Sequence, residues 1–538
     1  MIRRSLAIAA ATAAVWALAV WMTGGFVITL AGIGASSTDP VRPLVAAAVL
    51  AFAYTLLSGG PRLGDDLRHL RRLATPSRLA GSLAAAVGVV SLWQGSWTAA
   101  GPDAHAYVTR ADLLLSGTLK VPVPLAEIAP WPQPLATFVP FGYSPVAGES
   151  AIAPALGPGL ALLMAPLKAV AGHCAAFWVV PLTSALLVWM TFAIGRRVGS
   201  PAIGLGAAWL AATSPALLVM SKEPMSDVPA AAFWALATWD ILGGSRWRAA
   251  RAGLAGGMAI LIRPNLVPLA AGLGLWLVWR HRTELRRDGV PRVLAFCSGA
   301  VPACLTLAWI NNSLFGSPFT SGYGDVSSLF SVANVPVNLA RYGRWTTDTH
   351  TPLAFAGLVA LVVPARRLWP ADAARGGPFL LALVTVIVCA FYSVYMPFDA
   401  WWYLRFLLPC WPAMCIGSAA IVMTIVERAA PSLVRKGRPS VRWHVAAYAV
   451  VMMTLGVHGA VAADRLDVFP AGEGERRYAA IARSGDRRLG RDSDVDPHRA
   501  SSLLRWPRDY AIRRIGPCLA GSRGGVVCAE GTPPVHPD

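Results

Sequence analysis

Residues 174–201 read CAAFWVVPLTSALLVWMTFAIGRRVGSP, and this stretch decides the fold. Cys174 to Ile194 carries no charged side chain, long enough as a helix to cross a hydrocarbon core of about 30 Å. Arg196 and Arg197 follow at once, as basic residues do at the cytoplasmic end of a membrane helix. Ser200-Pro201 then supplies a helix cap and a first-turn proline, and a second apolar run begins.

Working outward, the same unit recurs. Apolar runs lie near 6–33, 41–58, 79–99, 174–194, 202–220, 228–242, 252–264, 266–279, 293–310, 353–365, 378–396, 406–426 and 444–462. They predict an all-α polytopic membrane protein with about 13 transmembrane helices. The runs at 252–264 and 266–279, joined at Arg263-Pro264, also read as one kinked helix. Residues 155–171 are apolar but broken by Pro158 and Pro166, which suggests a short helix lying at the membrane surface. Composition agrees: of 538 residues, 55% are apolar and only 14% charged, against roughly a quarter charged in soluble domains. The mean hydropathy of +0.52 excludes an ordinary soluble enzyme.

The net charge of +19 raises nucleic acid as a partner. The basic residues, however, sit in short clusters between apolar runs, with no domain-sized basic face. With the N-terminus placed in the cytoplasm, 25 of the 34 basic residues before position 464 fall on the cytoplasmic side, and an error in the span count would have scrambled that alternation. The charge therefore records topology, with a cytoplasmic N-terminus and an external C-terminus, and no nucleic-acid partner is expected. Ten of the 17 acidic residues in the same stretch fall on the external side. Two external loops, 100–173 and 311–352, are long, and long loops are where site chemistry tends to sit.

Five segments there carry chemistry. Gly101-Pro102-Asp103-Ala104-His105 follows the third span, where an aspartate either caps a helix or meets a substrate at the membrane boundary. Ser221-Lys222-Glu223-Pro224-Met225-Ser226-Asp227-Val228-Pro229 places two acids and a lysine between two spans, which is costly unless they are used or solvated. The others are Tyr143 to Glu149, Asn311 to Tyr323, and Phe398 to Pro409, the last containing Trp401-Trp402-Tyr403-Leu404-Arg405. Arg405 suits a phosphate, whose oxygens match a guanidinium; its plainer reading is an arginine snorkelling beside an aromatic belt.

In order, these segments resemble the GT-C superfamily of membrane glycosyltransferases, nearest to the bacterial relatives of protein O-mannosyltransferases and of lipid A aminoarabinose transferases (family 39). The resemblance covers about residues 79–465. It implies a GT-C-type bundle whose external loops carry short surface helices. The implied enzyme moves a hexosyl or pentosyl group from a polyprenyl-phosphate donor to a protein, glycan or lipid acceptor, outside the plasma membrane of a bacterium, with inversion. On this resemblance Asp103 and Asp227 are catalytic, while Arg405, Lys222 and Arg263 meet the donor phosphate. Glu149, Tyr143, Glu223 and Tyr323 bind substrate, and Asp103 with Glu149 would hold a divalent metal (Mg or Mn). The family's usual Asp-Glu in the first loop is Asp103-Ala104 here.

The organisation expected is an additional N-terminal hairpin and cytoplasmic loop over 1–78, a catalytic core over 79–465, and a polar external tail over 466–538. After about Ala482 that tail has the composition of a disordered or frameshifted segment. Two rival readings are a transporter or lipid flippase, for which the Arg263-Pro264 break speaks, and a catalytically inactive relative.

Overall fold

Serine and threonine placed just before proline or a basic turn start many of the helices. Thr75, Ser200, Ser214 and Ser245 each accept a hydrogen bond from the backbone N–H three residues on, through their hydroxyls. This satisfies one of the donors that a helix leaves open at its N-terminus.

The computed structural model describes residues 2–23, 26–30, 33–37, 39, 41–56, 74–99, 101–324, 329–363, 368–369, 376–433, 441–470, 472 and 476. The chain divides near residue 64, with Met1–Leu63 in one unit and Gly64–Ala480 in another. The first unit holds α1 (Ile2–Thr23), an antiparallel hairpin of β1 (Phe26–Leu30) and β2 (Ile33–Ser37), and α2 (Val41–Leu56). The expected span over 6–33 therefore stops at Thr23. The sequence after Thr23 suits a strand better than a helix, since Val27, Ile28 and Thr29 are β-branched.

The second unit is helical: α3 (Pro76–Gln94), α4 (Pro102–Leu115), the short α5 (Leu125–Ile128) and α6 (Pro134–Thr137), α7 (Gly159–Ala171), α8 (Val179–Val198), α9 (Pro201–Ala212) and α10 (Pro215–Met220). There follow α11 (Asp227–Ile241), α12 (Arg246–Ile262), α13 (Val267–Arg280), α14 (Val290–Phe315), α15 (Val335–His350) and α16 (Leu353–Val362). Last come α17 (Gly377–Ser393), α18 (Trp411–Leu433), led by a 3-10 helix at Trp401–Cys410, and α19 (Val441–Arg465). A small sheet, β3 (Val121–Pro122), β5 (Ala151–Pro154) and β4 (Tyr143–Pro145), lies between α4 and α7.

Each of the thirteen apolar runs contains a described helix. Among the described residues, four helices are long and apolar enough to cross a membrane: His173–Val198, Arg282–Phe315, Trp401–Ala429 and His444–Arg465. Others are shorter apolar helices, and one expectation changes while the two-span reading of 252–279 holds. The run 202–220 is two helices, because Ser214-Pro215 ends α9 and caps α10. Arg263-Pro264 separates α12 and α13 as two helices, Arg263 itself being extended at φ −140°, ψ 85°.

Small residues set the packing. A Cβ on Gly253 of α12 would lie 2.0 Å from the Phe296 carbonyl oxygen of α14, and one on Gly299 of α14 would lie 2.4 Å from Leu254 N. The two backbones touch there, as small-residue seams allow in membranes. Three buried charged residues fix the sheet region. Lys168 of α7 pairs with Asp112 of α4 at 2.5 Å, their side chains 3% and 8% exposed, and Arg110 donates to the Pro154 carbonyl. These contacts tie α4 to α7 and β5.

The described part of the expected tail does not stand apart from this unit. Lys222 donates to the carbonyls of Val468 and Phe469 at 2.5 and 3.2 Å, and Arg476 donates to those of Trp93 and Gly95. The segment after Ala482, expected to be disordered or frameshifted, lies outside the described residues.

Candidate active site

Four chain breaks converge on one cavity. Asp103 occupies the first turn of α4, behind Pro102. Asp227 opens α11, and acidic residues favour helix N-termini. Arg263 sits in the gap that Pro264 makes between α12 and α13, since proline cannot continue the preceding helix. Arg405 lies in the 3-10 helix Trp401–Cys410; runs of that length are uncommon and often mark functional sites. The cavity encloses about 300 Å³, with Asp103, Tyr107, Asp227, Arg263, Tyr323 and Arg405 on its polar side and Leu307, Ile310, Phe315 and Phe330 among its apolar walls.

The floor is narrow by design of sequence. A Cβ on Gly157 would meet the Leu261 carbonyl oxygen at 2.5 Å, and one on Gly159 would meet Ile262 N at 2.3 Å. Only glycine lets the start of α7 pass this close to the residues that carry Arg263.

Asp227, 1% exposed, is the electrostatic centre. Its Oδ1 receives Arg263 Nη1 at 2.5 Å and lies 3.8 Å from Arg405 Nε. Its Oδ2 and the Arg405 Nε are buried with no hydrogen-bond partner among the described residues. One carboxylate thus faces two guanidiniums, with unsatisfied hydrogen-bonding capacity at the cavity wall. Aromatic rings back both cations: Arg263 lies over Tyr392 and Phe406, and Arg405 over Tyr403 and Phe406.

Asp103 stands opposite, near Arg405, Asp227 and Arg263. Burial raises its carboxyl above the ordinary range; Arg405 pulls it back, Asp227 raises it, and Arg263 lowers it. A carboxyl so placed is a better proton acceptor than one in water. Asp103 and Arg405 also border a second cavity of about 270 Å³, lined by Ser96, Thr98, Gly101, Glu223 and Met225. The two residues form a wall between two spaces.

Of the residues expected from sequence, Asp103, Asp227, Arg263, Arg405 and Tyr323 meet at the first cavity, and Glu223 borders the second. Three lie elsewhere. Lys222 is buried and held by Val468, Phe469 and the Phe469 ring; burial, with Arg476 nearby, draws it down to about 7. It staples the chain after α19 and does not line the first cavity. Tyr143 bonds to His105 Nδ1 at 2.9 Å and steadies α4. Glu149 pairs with Lys120 at a separate open cleft of about 830 Å³.

The expected metal pair, Asp103 with Glu149, is consequently not assembled. Among the described residues no group of three or more His, Cys, Asp or Glu side chains gathers, and Asp227 is already engaged by guanidiniums. This donor set does not fit a resident divalent ion. Sequence reasoning did not assign Tyr107, Asn265 or Tyr395, which also line the cavity. Tyr107 had a signal, being four residues after Asp103 and so on the same helix face.

No curated protein matches the sequence. Among solved structures the chain is similar to ArnT from Cupriavidus metallidurans bound to undecaprenyl phosphate, at 14% identity and a TM-score of 0.49, covering 75% of this chain and 79% of that one. It is also similar to the Archaeoglobus fulgidus oligosaccharyltransferase AglB in complex with an inhibitory peptide and a dolichol-phosphate. There the identity is 13% and the TM-score 0.41, covering 72% of this chain and 55% of that one. Residues 155–309 match the family model described as dolichyl-phosphate-mannose-protein mannosyltransferase. That segment runs from the floor of the cavity through Asp227 and Arg263 to the apolar wall on α14.

Proposed function

We propose that the protein transfers a sugar from a polyprenyl-phosphate donor to an acceptor hydroxyl on the extracytoplasmic face of a bacterial plasma membrane, with inversion at the sugar carbon. The observation that carries this reading is the pair of guanidiniums, Arg263 and Arg405, sharing one carboxylate at the end of an apolar-walled cavity. A ligand with an apolar chain and an anionic head satisfies both halves of such a site, and a matched family named for a dolichyl-phosphate sugar points to the same chemistry. Nucleotide sugars stay in the cytoplasm, so an outward-facing transferase needs its sugar on a lipid carrier.

The roles follow from position. The acceptor oxygen attacks the anomeric carbon as the bond from that carbon to the phosphate oxygen breaks. Asp103, on the wall between the two cavities, takes the acceptor's proton. The departing polyprenyl phosphate gathers charge, which Arg263 and Arg405 stabilise in a site shielded from water. Asp227 is spent on the two arginines and so organises the clamp, in place of the catalytic role expected for it. The acceptor and the sugar are left open by these residues; the second cavity, bordered by Asp103 and Glu223, is where the acceptor would enter.

The test is sugar transfer from polyprenyl-phosphate sugars in membranes carrying the wild type, Asp103→Asn or Asp227→Asn. Transfer by the wild type, with at least a hundredfold loss in Asp103→Asn, supports the reading; unchanged transfer in both variants removes the site assignment. The interrupted α12–α13 pair favours a second reading, a lipid flippase. Lipid movement across vesicles without any sugar transfer would select it.

A further inference from the structure

Two like charges held side by side out of water repel strongly; Asp227 touches both arginines, and Asp103 interacts with them from farther off. The aromatic residues behind the arginines add a further attraction. The ring of Phe406, 4% exposed, lies 5.0 Å from the Arg263 guanidinium carbon and 5.5 Å from that of Arg405. Of the four aromatic contacts these cations make among the described residues, only Phe406 touches both. Its own position is fixed: it stacks on Tyr392 at 4.9 Å and 8°, and meets Tyr395 and Phe398 edge-on at 5.7 Å each. The base of the group is fixed too, because Asn338 Nδ2 donates to the carbonyls of Tyr392, Ser393 and Tyr395.

We propose that Phe406 is the positioning residue of the phosphate clamp, its π face holding Arg263 and Arg405 at the separation at which both face one phosphate. The proposal rests on the reading that this arginine pair takes the donor's phosphate. An aromatic quadrupole attracts a cation over its face, so one ring steadies both guanidiniums before any substrate arrives. An aliphatic side chain of similar size would fill the space without the ring's attraction for the two cations.

The experiment compares the full-length protein in lipid nanodiscs with two variants. Phe406→Leu removes the ring. Pentafluorophenylalanine incorporated at position 406 keeps the ring's shape and inverts its quadrupole. Two probes are used, polyprenyl phosphate and the uncharged polyprenol, with donor and acceptor KM measured beside them. Two cation–π contacts correspond to roughly tenfold in affinity. Both variants should bind polyprenyl phosphate about tenfold more weakly and raise the donor KM to match, while polyprenol binding and the acceptor KM stay at wild-type values. Should Phe406→Leu misfold, the fluorinated protein carries the comparison. Wild-type preference for polyprenyl phosphate with no change in the fluorinated protein overturns the role of Phe406. A wild type that binds both lipids alike overturns instead the reading of the arginines as a phosphate clamp.

Discussion

Removing Asp227 alone should cost at least as much as removing Asp227 and Arg263 together. Asp227 is 1% exposed and Arg263 14%, so solvent screens the pair little. Removing one partner of such a pair leaves an uncompensated buried charge and costs about 3–5 kcal/mol, whereas an apolar pair of similar volume is often neutral. Asp227→Leu should be the costlier single change, because it strands two guanidiniums that now share its oxygen at 2.5 and 3.8 Å. Arg263→Met is softened because Arg405 stays within reach of Asp227. The double variant strands Arg405 alone and should cost no more than Asp227→Leu, so it should fall short of the sum of the singles by at least the cost of Arg263→Met. Denaturant-induced unfolding in detergent micelles, read for all four proteins, gives the cycle. Distant independent sites add to within about 0.5 kcal/mol. A double variant that merely adds the two single costs would refute the buried clamp.

Three further outcomes follow from the same geometry. The acid limb of kcat/KM against pH should lie above the ordinary carboxylate range, because Asp103 is raised by burial and activity is lost as pH falls through it; Arg405→Met should move the limb higher still, and a limb at an ordinary carboxylate position would contradict the assignment. Lys222 is drawn down to about 7 in the fold, so the unfolded chain, at an ordinary lysine value of about 10.4, binds a proton the fold does not across that window. Stability should therefore rise from pH 7 to pH 10 and the slope should flatten in Lys222→Met, as thermal unfolding at several pH values would show. Gly159→Ala drives a Cβ into Ile262 N at 2.3 Å; overpacking of this kind costs about 1–3 kcal/mol and displaces Arg263, so transfer should drop, while Gly274→Ala, with nothing within 4 Å, should behave as wild type.

The helices were legible in the sequence because in a membrane the apolar run and the element coincide, and every expected run contains one. What hydropathy could not see was local backbone chemistry inside those runs. Apolar residues 26–30 and 33–37 pair as a hairpin, and Ser214-Pro215 divides 202–220. The helix α15, inside the expected loop 311–352, is amphipathic and carries Arg341, Arg344 and Asp348, so it gave no membrane signal. At the site, residues at chain breaks were legible because a charge beside an apolar helix demands a reason: Asp103, Asp227, Arg263 and Arg405 all arose that way. Pairing was not. Arg263 meets Asp227 across 36 positions, and Lys222 is claimed by a segment 246 residues away. Glu149, expected at the metal position, pairs instead with Lys120, 29 residues earlier.

The most direct test of the account is release of the lipid leaving group. Purified protein in proteoliposomes would be given polyprenyl-phosphate sugars with a mixture of acceptors, and free polyprenyl phosphate and transferred sugar would be counted together. The account predicts equal amounts of the two from the wild type and a loss of a hundredfold or more in Arg405→Met, about what one oxyanion-type contact contributes. Equal turnover by wild type and Arg405→Met, or sugar transfer without release of polyprenyl phosphate, would contradict it.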